Sequence, residues 1–553
     1  MLTRQKPSTA RLAATWITGL TVRRGGRLAA TALGVALAVG LLASIGTFLS
    51  SSKATMTARA IETVAVDWQV EAQPGSDPAA VAKAVAAAPH VSSSETVPFA
   101  TVDGFEFDNG SPVQTTGAGQ VLGLPDGYRS LFPGQIRDLA GASKGVLLFQ
   151  QTAANLQAAP GSTITVKRAG MDPVTVTVDG VVDLPQADTL FQKVGAPVGA
   201  QAQAPPDNVL LVPASTWHEQ FDPLAAARPD LVTTQVHARL DHRLPKDPSA
   251  AYSTTTGQAR NLEVKLAGAG LVGDNLGATL AAARSDALYA QVLFLFLGVP
   301  GAVLAGLLTA TVAGAGRDRR RREQALLRTR GATTSQLAKL GLAEAGLVTV
   351  IGGALGLGLA AVVGAAAFGT AGFGASTDAA VAWSLGAVLA GLVIAATSIA
   401  LPAWRDARDT TVATSRLTTG RARSPRWMRW YLDLLLLAAA ATVFWLTSRG
   451  GYKLILAVEG VPTISVSYWA FAGPALLWLG AGLFAYRLTD LVLNRGRRLV
   501  SAAISPLAGG LADTVASTLR RQRRQIARGA ALVALTIGFA ASTAVFNSTY
   551  RQH

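Results

Sequence analysis

The sequence predicts a polytopic α-helical membrane protein of about seven spans, with one large α+β extracytoplasmic domain between the first and second spans. Half of the 553 residues are hydrophobic and only 15% are charged, whereas soluble proteins carry about a quarter charged residues. The apolar residues collect in runs of about 20, long enough to cross about 30 Å of hydrocarbon as helices. Basic residues collect between these runs, and one long, net acidic segment follows the first run.

The seven predicted spans are 28–49, 288–313, 341–367, 381–401, 431–447, 467–488 and 529–546. The first run follows several arginines and resembles a signal peptide, but it is longer than the 7–15 apolar residues typical of one, so we predict a retained span. In the third span, Gly352 and Gly356 form a pair of small residues separated by three others, a spacing that lets membrane helices pack closely. Generic bundle packing is the favoured interpretation of this pair over a gating role.

Loop charges predict the orientation. Residues 50–286 hold 16 Lys and Arg against 23 Asp and Glu, whereas the rest of the chain holds 33 against 10. The basic excess lies in segments 1–27, 314–340, 402–430 and 489–528, which alternate correctly with the spans, and 368–380 has no Lys or Arg. By the positive-inside rule the N-terminus is cytoplasmic and residues 50–286 and 553 are outside. Basic charge confined to interspan loops also argues against nucleic-acid binding.

The domain at 50–286 has alternating and helical stretches typical of an α+β fold. Strands are predicted near 64–70, 164–166, 174–178 and 207–212, a helix is predicted after Asp77-Pro78, and a helix from about 257 to 284 is predicted to continue into the second span as a stalk.

Several kinds of chemistry have no support in the sequence. No cysteine is present, so the outer domain has no disulfides and no lipidated thiol. No Gly-Lys dipeptide occurs, so the chain has no phosphate-binding loop of the GxxxxGK[ST] type and no ATPase of its own. No catalytic residue, cofactor or metal is predicted. The five histidines, including His237 and His242, are interpreted as surface residues rather than zinc ligands: His90, His218, His237, His242 and His553.

The loop at 314–340 carries the most specific local pattern. An arginine-rich start leads into an apolar patch at Ala325, Leu326 and Leu327, which predicts a short amphipathic helix at the inner membrane face. Gly331 is predicted to end this helix, and Thr333 or Thr334 to cap the next one. A plain alternative is a positive-inside anchor. Glu344, in the third span near Lys339, is expected to form a structural ion pair there.

This loop resembles that of FtsX-like permeases, the membrane subunits of ABC transporters of the macrolide-exporter and lipoprotein-release type. The resemblance also covers Glu344 and Gly352-Gly353, the exit segment Pro402-Ala-Trp-Arg-Asp-Ala-Arg, and the outer segments Gly145-Val-Leu-Leu and Gly161-Ser-Thr-Ile-Thr-Val. It implies that the loop is a coupling helix docking on a separate ABC ATPase, through Arg321, Arg322, Glu323, Leu326, Leu327, Arg328, Gly331, Ala332 and Gln336.

The resemblance implies a cell-membrane permease subunit that couples ATP hydrolysis to movement of the outer domain, for export or extraction of a substrate. A mechanotransmission role, regulating a cell-wall hydrolase or sensing antimicrobial peptides, remains an alternative. A membrane-anchored enzyme and a secondary transporter are disfavoured. The domain assignment is N-terminus 1–27, span 28–49, MacB-like core domain with stalk 50–286, permease domain 287–416, two extra spans 417–492, and basic segment with the seventh span 493–553.

An internal repeat is suggested by the similar basic-then-apolar patterns at 20–49 and 519–546. Larger members of the family have two four-span units joined by two extra spans. The chain therefore resembles a truncated or split ten-span permease. The missing half is expected from a second copy of this chain, from a separate partner chain, or not at all because the gene is truncated.

Overall fold

The computed structural model describes residues 9–108, 110, 112–195, 204–315, 317–408, 425–449 and 472–552. These residues divide into two compact units. We call Ser52–Leu288 the sheet unit and the described residues on either side of it the helical unit. Residues 467–471, the start of the predicted sixth span, lie outside the described ranges.

The helices range from 4 to 54 residues in length. In chain order they are α1 Thr9–Glu62, α2 Pro78–Ala86, α3 Tyr128–Leu131, α4 Gln150–Leu156, α5 Ala187–Leu190, α6 Ala214–Gln220, α7 Asp222–Ala227, α8 Pro248–Leu266, α9 Asn275–Ala315, α10 Arg317–Thr329, α11 Thr334–Phe368, α12 Thr377–Ala395, α13 Leu401–Arg408, α14 Arg426–Arg429, α15 Leu432–Arg449, α16 Ala472–Arg495, α17 Arg497–Ala508 and α18 Ala512–Gln552. A π-helical turn, Ala396–Ala400, joins α12 to α13, and a 3-10 turn, Gly509–Leu511, joins α17 to α18.

The sheet unit contains the strands. They are β1 Trp68–Ala72, β2 Val91–Val102, β3 Gly104–Phe107, β4 Gln114–Thr115, β5 Gly119–Leu124, β6 Arg137–Gly141, β7 Leu147–Phe149, β8 Thr163–Lys167, β9 Val174–Thr177, β10 Gly180–Asp183, β11 Val209–Pro213, β12 Val232–Leu240 and β13 Gly270–Asp274. Nine form one mixed sheet in the order β13-β1-β12-β2-β5-β11-β7-β10-β6, and four form a second sheet in the order β4-β3-β8-β9.

Burial explains the arrangement of the large sheet. Four consecutive residues of β11, Val209 to Val212, are all buried, as expected for a central strand covered on both faces. This strand pairs in parallel with β5 and antiparallel with β7. Aromatic side chains fill the core around it, among them Phe105, Phe132 and Phe221.

Several local predictions for this unit are confirmed. Asp77 caps α2, accepting from the Ala79 N–H at 2.9 Å. The strands predicted near 164–166 and 174–178 are β8 and β9, which pair antiparallel with Ile164 opposite Val176. The first strand begins only at Trp68, four residues later than expected.

The predicted stalk helix from 257 to 284 is interrupted, although residues 275–284 do continue into the predicted second span as part of α9. α8 ends at Leu266, the backbone turns through positive φ at Ala267 and Gly268, and β13 follows before α9 begins at Asn275. β13 pairs antiparallel with β1, placing Asp274 opposite Trp68. Helical periodicity does not report such a pairing, because the partner strand lies about 200 residues earlier in the sequence.

Five helices in the described residues are long and apolar enough to cross a membrane. They are Gly25–Glu62, Thr334–Phe368, Thr377–Arg405, Ala472–Arg495 and Arg498–Ala541. Shorter apolar helices, Val303–Gly314 and Leu432–Ser448, fall in the predicted second and fifth spans. The helices and the large mixed sheet confirm a polytopic helical protein with one α+β domain, while the count of seven spans stays a prediction.

A buried ion pair joins α15 and α16, the helices at the two predicted extra spans. Asp433, in the first turn of α15, is fully buried and accepts two hydrogen bonds from the Arg487 guanidinium of α16. Arg487 also donates to the Met428 carbonyl at 2.7 Å and lies 4.6 Å from the centroid of the Tyr431 ring. A charge within an apolar helix pair is expected to be fully satisfied in this way.

Candidate coupling site

The amphipathic helix predicted in the loop at 314–340 is α10, and Gly331 ends it. Gly331 has φ +90°, a conformation that non-glycine residues adopt only with strain. Its N–H donates to the Arg328 carbonyl at 2.8 Å, and the Ala332 N–H donates to the Leu327 carbonyl at 3.0 Å. These two bonds form a Schellman motif, which satisfies carbonyls at the helix end that would otherwise lack a partner.

The next helix begins two residues later with a capping box. The Thr333 hydroxyl accepts from the Gln336 N–H at 3.3 Å, and the Gln336 side-chain oxygen accepts from the Thr333 N–H at 2.9 Å. Of the two caps considered from the sequence, Thr333 is the one used. Since both helix ends are closed by specific hydrogen bonds, the turn between α10 and α11 has a defined geometry.

The apolar patch of α10 is divided between solvent and the interior. Leu326 is 62% exposed and Ala325 is also exposed. Leu327 is half-buried and lines a small cavity with Trp16 and Leu337. Leu327 thus packs α10 against the rest of the helical unit, whereas Leu326 is accessible to another molecule.

The structure describes the side chains of only some of the charged residues predicted at this site. Glu323 and Arg328 are half-buried, and each interacts with other groups. Arg321 and Arg322 belong to α10, but their side chains lie outside the described part of the structure.

A buried ion pair closes the other side of the same cavity. The Arg27 Nη2 of α1 donates to the Glu344 Oε1 of α11 at 3.0 Å, and the Glu344 side chain is 6% exposed. The pair expected from the sequence, Glu344 with Lys339, does not occur among the described ion pairs. The partner of Glu344 is instead Arg27 of α1. The two residues are 317 positions apart, so no local sequence pattern indicates this pair.

Small residues let α11 approach α1 closely above this ion pair. A Cβ at Gly352 would lie 2.8 Å from the Ala32 carbonyl oxygen, and one at Gly356 would lie 2.6 Å from the Ala36 carbonyl oxygen. Because the obstructing atoms are backbone, neither position has room for a side chain. The ion pair and the glycine contacts therefore join α1 and α11 along one face.

The surface assignment of His237 is wrong. His237 is fully buried in β12, with the Tyr128 hydroxyl 2.7 Å from Nδ1 and Gln235 Oε1 3.4 Å from Nε2. Because the Gln235 oxygen can only accept, Nε2 carries the proton and Nδ1 accepts from Tyr128. Burial lowers the pKa of His237 to about 3, so the ring is neutral. Period-two alternation along β12 puts His237 on the polar face with Gln235 and Arg239, so the local pattern gave no signal of its burial.

One segment of the sheet unit has the residue spacing of a serine hydrolase motif. Gly141-Ala-Ser-Lys-Gly145 has the Gly-x-Ser-x-Gly spacing of a hydrolase nucleophile elbow. The structure places Ser143 in the connection between strands β6 and β7, whereas a nucleophile elbow lies on a strand-to-helix turn. The match in spacing therefore does not indicate a hydrolase site.

Comparison with protein families connects both units to one type of protein. The family model described as "MacB-like periplasmic core domain" matches residues 28–243, and the one described as "FtsX-like permease C-terminal" matches residues 295–410. The chain belongs to the FtsX/MacB-type ABC permease family. No curated protein matches it in sequence.

Membership in the FtsX/MacB family establishes the general role. The chain is a permease subunit of an ABC transporter and a multi-pass membrane protein. Permeases of this family generally act with an ABC ATPase and are themselves generally not enzymes. The FtsX-like match contains α10, its closing turn and the whole of α11, so the candidate coupling site lies within the part of the chain that carries the family resemblance.

Proposed function

We propose that this permease receives the power stroke of a separate ABC ATPase at α10 and transmits it to its extracytoplasmic domain, for export or extraction of a substrate. The observation that carries the proposal is the exposed leucine on a helix whose end is held in a defined geometry. Leu326 is exposed, yet the Schellman turn and the capping box that follow it leave little freedom to that surface. Exposed apolar anchors on rigid elements are typical of docking sites.

Transmission through the helical unit follows from the contacts of α11. A displacement of α10 acts on α11 across the turn at Gly331, and α11 is joined to α1 by the Arg27–Glu344 pair and by the close contacts of Gly352 and Gly356. Close packing makes such an assembly move as a body rather than deform.

Chain connectivity then carries motion to the sheet unit. α1 ends at Glu62, six residues before β1, and α9 begins at the residue after β13. β1 and β13 are hydrogen-bonded neighbours at one edge of the nine-stranded sheet. Two membrane helices therefore continue into adjacent strands, an arrangement suited to moving the extracytoplasmic domain.

A single substitution tests the docking step. Leu326→Asp places a carboxylate in an interface that would have to bury it, at a cost of several kcal/mol, so co-purification with the ATPase should fall at least tenfold. The permease is purified from its own membranes in mild detergent, and the ATPase is detected by photolabelling with an azido-ATP analogue. Gln522→Asp is the matched control, since it adds the same charge at an exposed position of another basic segment.

Normal recovery of the photolabelled polypeptide with Leu326→Asp would refute the docking assignment. Loss of that polypeptide with both variants would instead show a general dependence on cationic charge, and it would equally remove Leu326 as the specific contact.

A further inference from the structure

A short helix between α16 and α18 has an apolar face that no other part of the described chain covers. α17 follows α16 after a single residue, Gly496, and ends at Gly509, whose φ is +50°. Leu499 is 73% exposed and Leu507 is 92% exposed. Such exposure is unusual for leucines on a helix that also packs against a neighbour, as α17 does against α18.

The two sides of α17 differ in their surroundings. At 100° per residue, Leu499, Ala503, Pro506 and Leu507 share one face, and all four are exposed. Beyond Leu507 around the helix, Val500 lies about 20° and Ile504 about 60° further on, and both are half-buried. The helix is thus attached to the helical unit along one side and presents an apolar strip on the other.

The charge around this strip is strongly positive. Arg495 and Arg498 are exposed beside its start, and Arg520, Arg521 and Arg528 are exposed on the first half of α18. Between 495 and 528 the sequence contains eight arginines and one acidic residue, Asp513. A partner of this surface therefore combines an apolar part with negative charge.

We propose that α17 lies in the plane of the bilayer interface and binds anionic phospholipid, with Leu499 and Leu507 in the acyl boundary and the arginines on the headgroup phosphates. Continuity with α16 favours a lipid over a protein, because one residue after a membrane span the chain is still at headgroup depth. Basic residues at this depth attract anionic lipid. The inference rests on the proposed topology only for its assignment to the cytoplasmic leaflet.

Paired single-cysteine variants test the insertion. The chain is free of cysteine, so Leu507→Cys and Ser505→Cys can each carry one bimane label. Both positions are exposed, but Ser505 lies about 160° away from Leu507 around the helix. In nanodiscs of the full chain, lipids brominated on the acyl chain should quench the label at 507 strongly and the label at 505 weakly. Equal quenching at the two positions, or no quenching at 507, overturns the proposal.

Headgroup preference is tested separately with arginine variants. Binding of a fluorescent phosphatidylglycerol to the detergent-purified full chain should weaken about fivefold for each arginine removed in Arg495→Gln and Arg498→Gln. Arg495→Lys and Arg498→Lys keep the charge and should keep most of the affinity. Unchanged affinity in the glutamine variants, or equal binding of phosphatidylcholine, overturns the anionic-lipid assignment.

If a protein rather than a lipid covers the apolar face of α17, the labelling experiment gives a different result. If the label at 507 is insensitive to brominated lipid and responds only when the ATPase is added, a protein covers this face and the lipid proposal is wrong. The lipid measurements use the permease without the ATPase, so their failure is distinguishable from failure of docking at Leu326.

Discussion

Arg27 and Glu344, separated by 317 positions in the sequence, form a 3.0 Å ion pair between α1 and α11. Breaking a buried pair leaves one charge without compensation, which typically costs about 3 kcal/mol or more. We therefore expect Glu344→Ala to lower the thermal midpoint of the detergent-purified chain markedly, and Glu344→Gln to lower it less because an amide oxygen still accepts from Arg27. The double variant Arg27→Leu/Glu344→Leu should recover part of the loss; single variants that melt like the parent would contradict this assignment.

The turn at Gly331 gives a second prediction. Gly331→Ala has space for its Cβ, but an L-residue at φ +90° is strained by about 1–2 kcal/mol. The amides of residues 331 and 332, which close the Schellman motif, should exchange with deuterium several-fold faster in this variant. Gly346→Ala, at an open helical position of α11, is the control and should leave this exchange unchanged. Equal exchange in both variants would show that the turn is not constrained by its backbone.

The contact between α1 and α11 predicts that alanine substitution at two nearby glycines affects stability differently. Gly356→Ala would bring its Cβ within 2.6 Å of the Ala36 carbonyl oxygen, whereas no atom lies within 4 Å of a Cβ at Gly358. We expect Gly356→Ala to destabilise the chain by about 1–3 kcal/mol and Gly358→Ala to be neutral, as measured by thermal aggregation in mild detergent. Similar midpoints for the two variants would mean that the helices are not in close contact there.

The neutral, buried His237 predicts a pH dependence of stability. Its pKa is about 3 when folded, because of burial, and about 6.5 when unfolded. Between these values the unfolded state binds more protons, so stability falls as the pH is lowered from about 6.5 towards 3, by at most about 1.4 kcal/mol per pH unit. His237→Gln removes this dependence while still accepting from Tyr128.

Comparing the parent with His237→Gln separates the contribution of His237 to the pH dependence of stability from the contributions of other groups. Burial raises the pKa of Asp274 to about 6, which makes the folded state retain a proton and contributes a slope of opposite sign in the range below pH 6. This contribution is the same in both proteins and cancels in their difference. The thermal midpoint of the parent should therefore fall relative to that of His237→Gln as the pH is lowered from 7 to 4.5; a difference that stays constant with pH would contradict the neutral histidine.

The predicted orientation of the chain in the membrane can be tested by labelling single cysteines from outside the cell. Exposed positions 118 and 325 lie in the sheet unit and on α10, respectively. Alanine is present at both, so Ala118→Cys and Ala325→Cys are conservative changes. An impermeant maleimide applied to intact cells should label position 118 alone, and both positions after the membrane is permeabilised. Labelling of 325 in intact cells would reverse the proposed topology.

Local chemistry made much of this protein predictable from sequence. Apolar runs as long as the bilayer is thick indicate membrane helices wherever they occur, because the backbone must satisfy its own hydrogen bonds there. Helix ends are equally local: Gly331 adopts positive φ and Thr333 bonds to a residue three positions on, so both could be read from the sequence.

The tertiary structure decided which distant residues meet. Helical periodicity continued through 270–274, yet pairing with β1 made that segment a strand. Glu344 was expected to pair within its own helix, but α1 supplies Arg27, and His237 is buried because Tyr128 and Gln235 satisfy its ring. The physical reason is the same in each case: long-range contacts outweigh local preference once they exclude water, and the sequence around one residue carries no record of its partner.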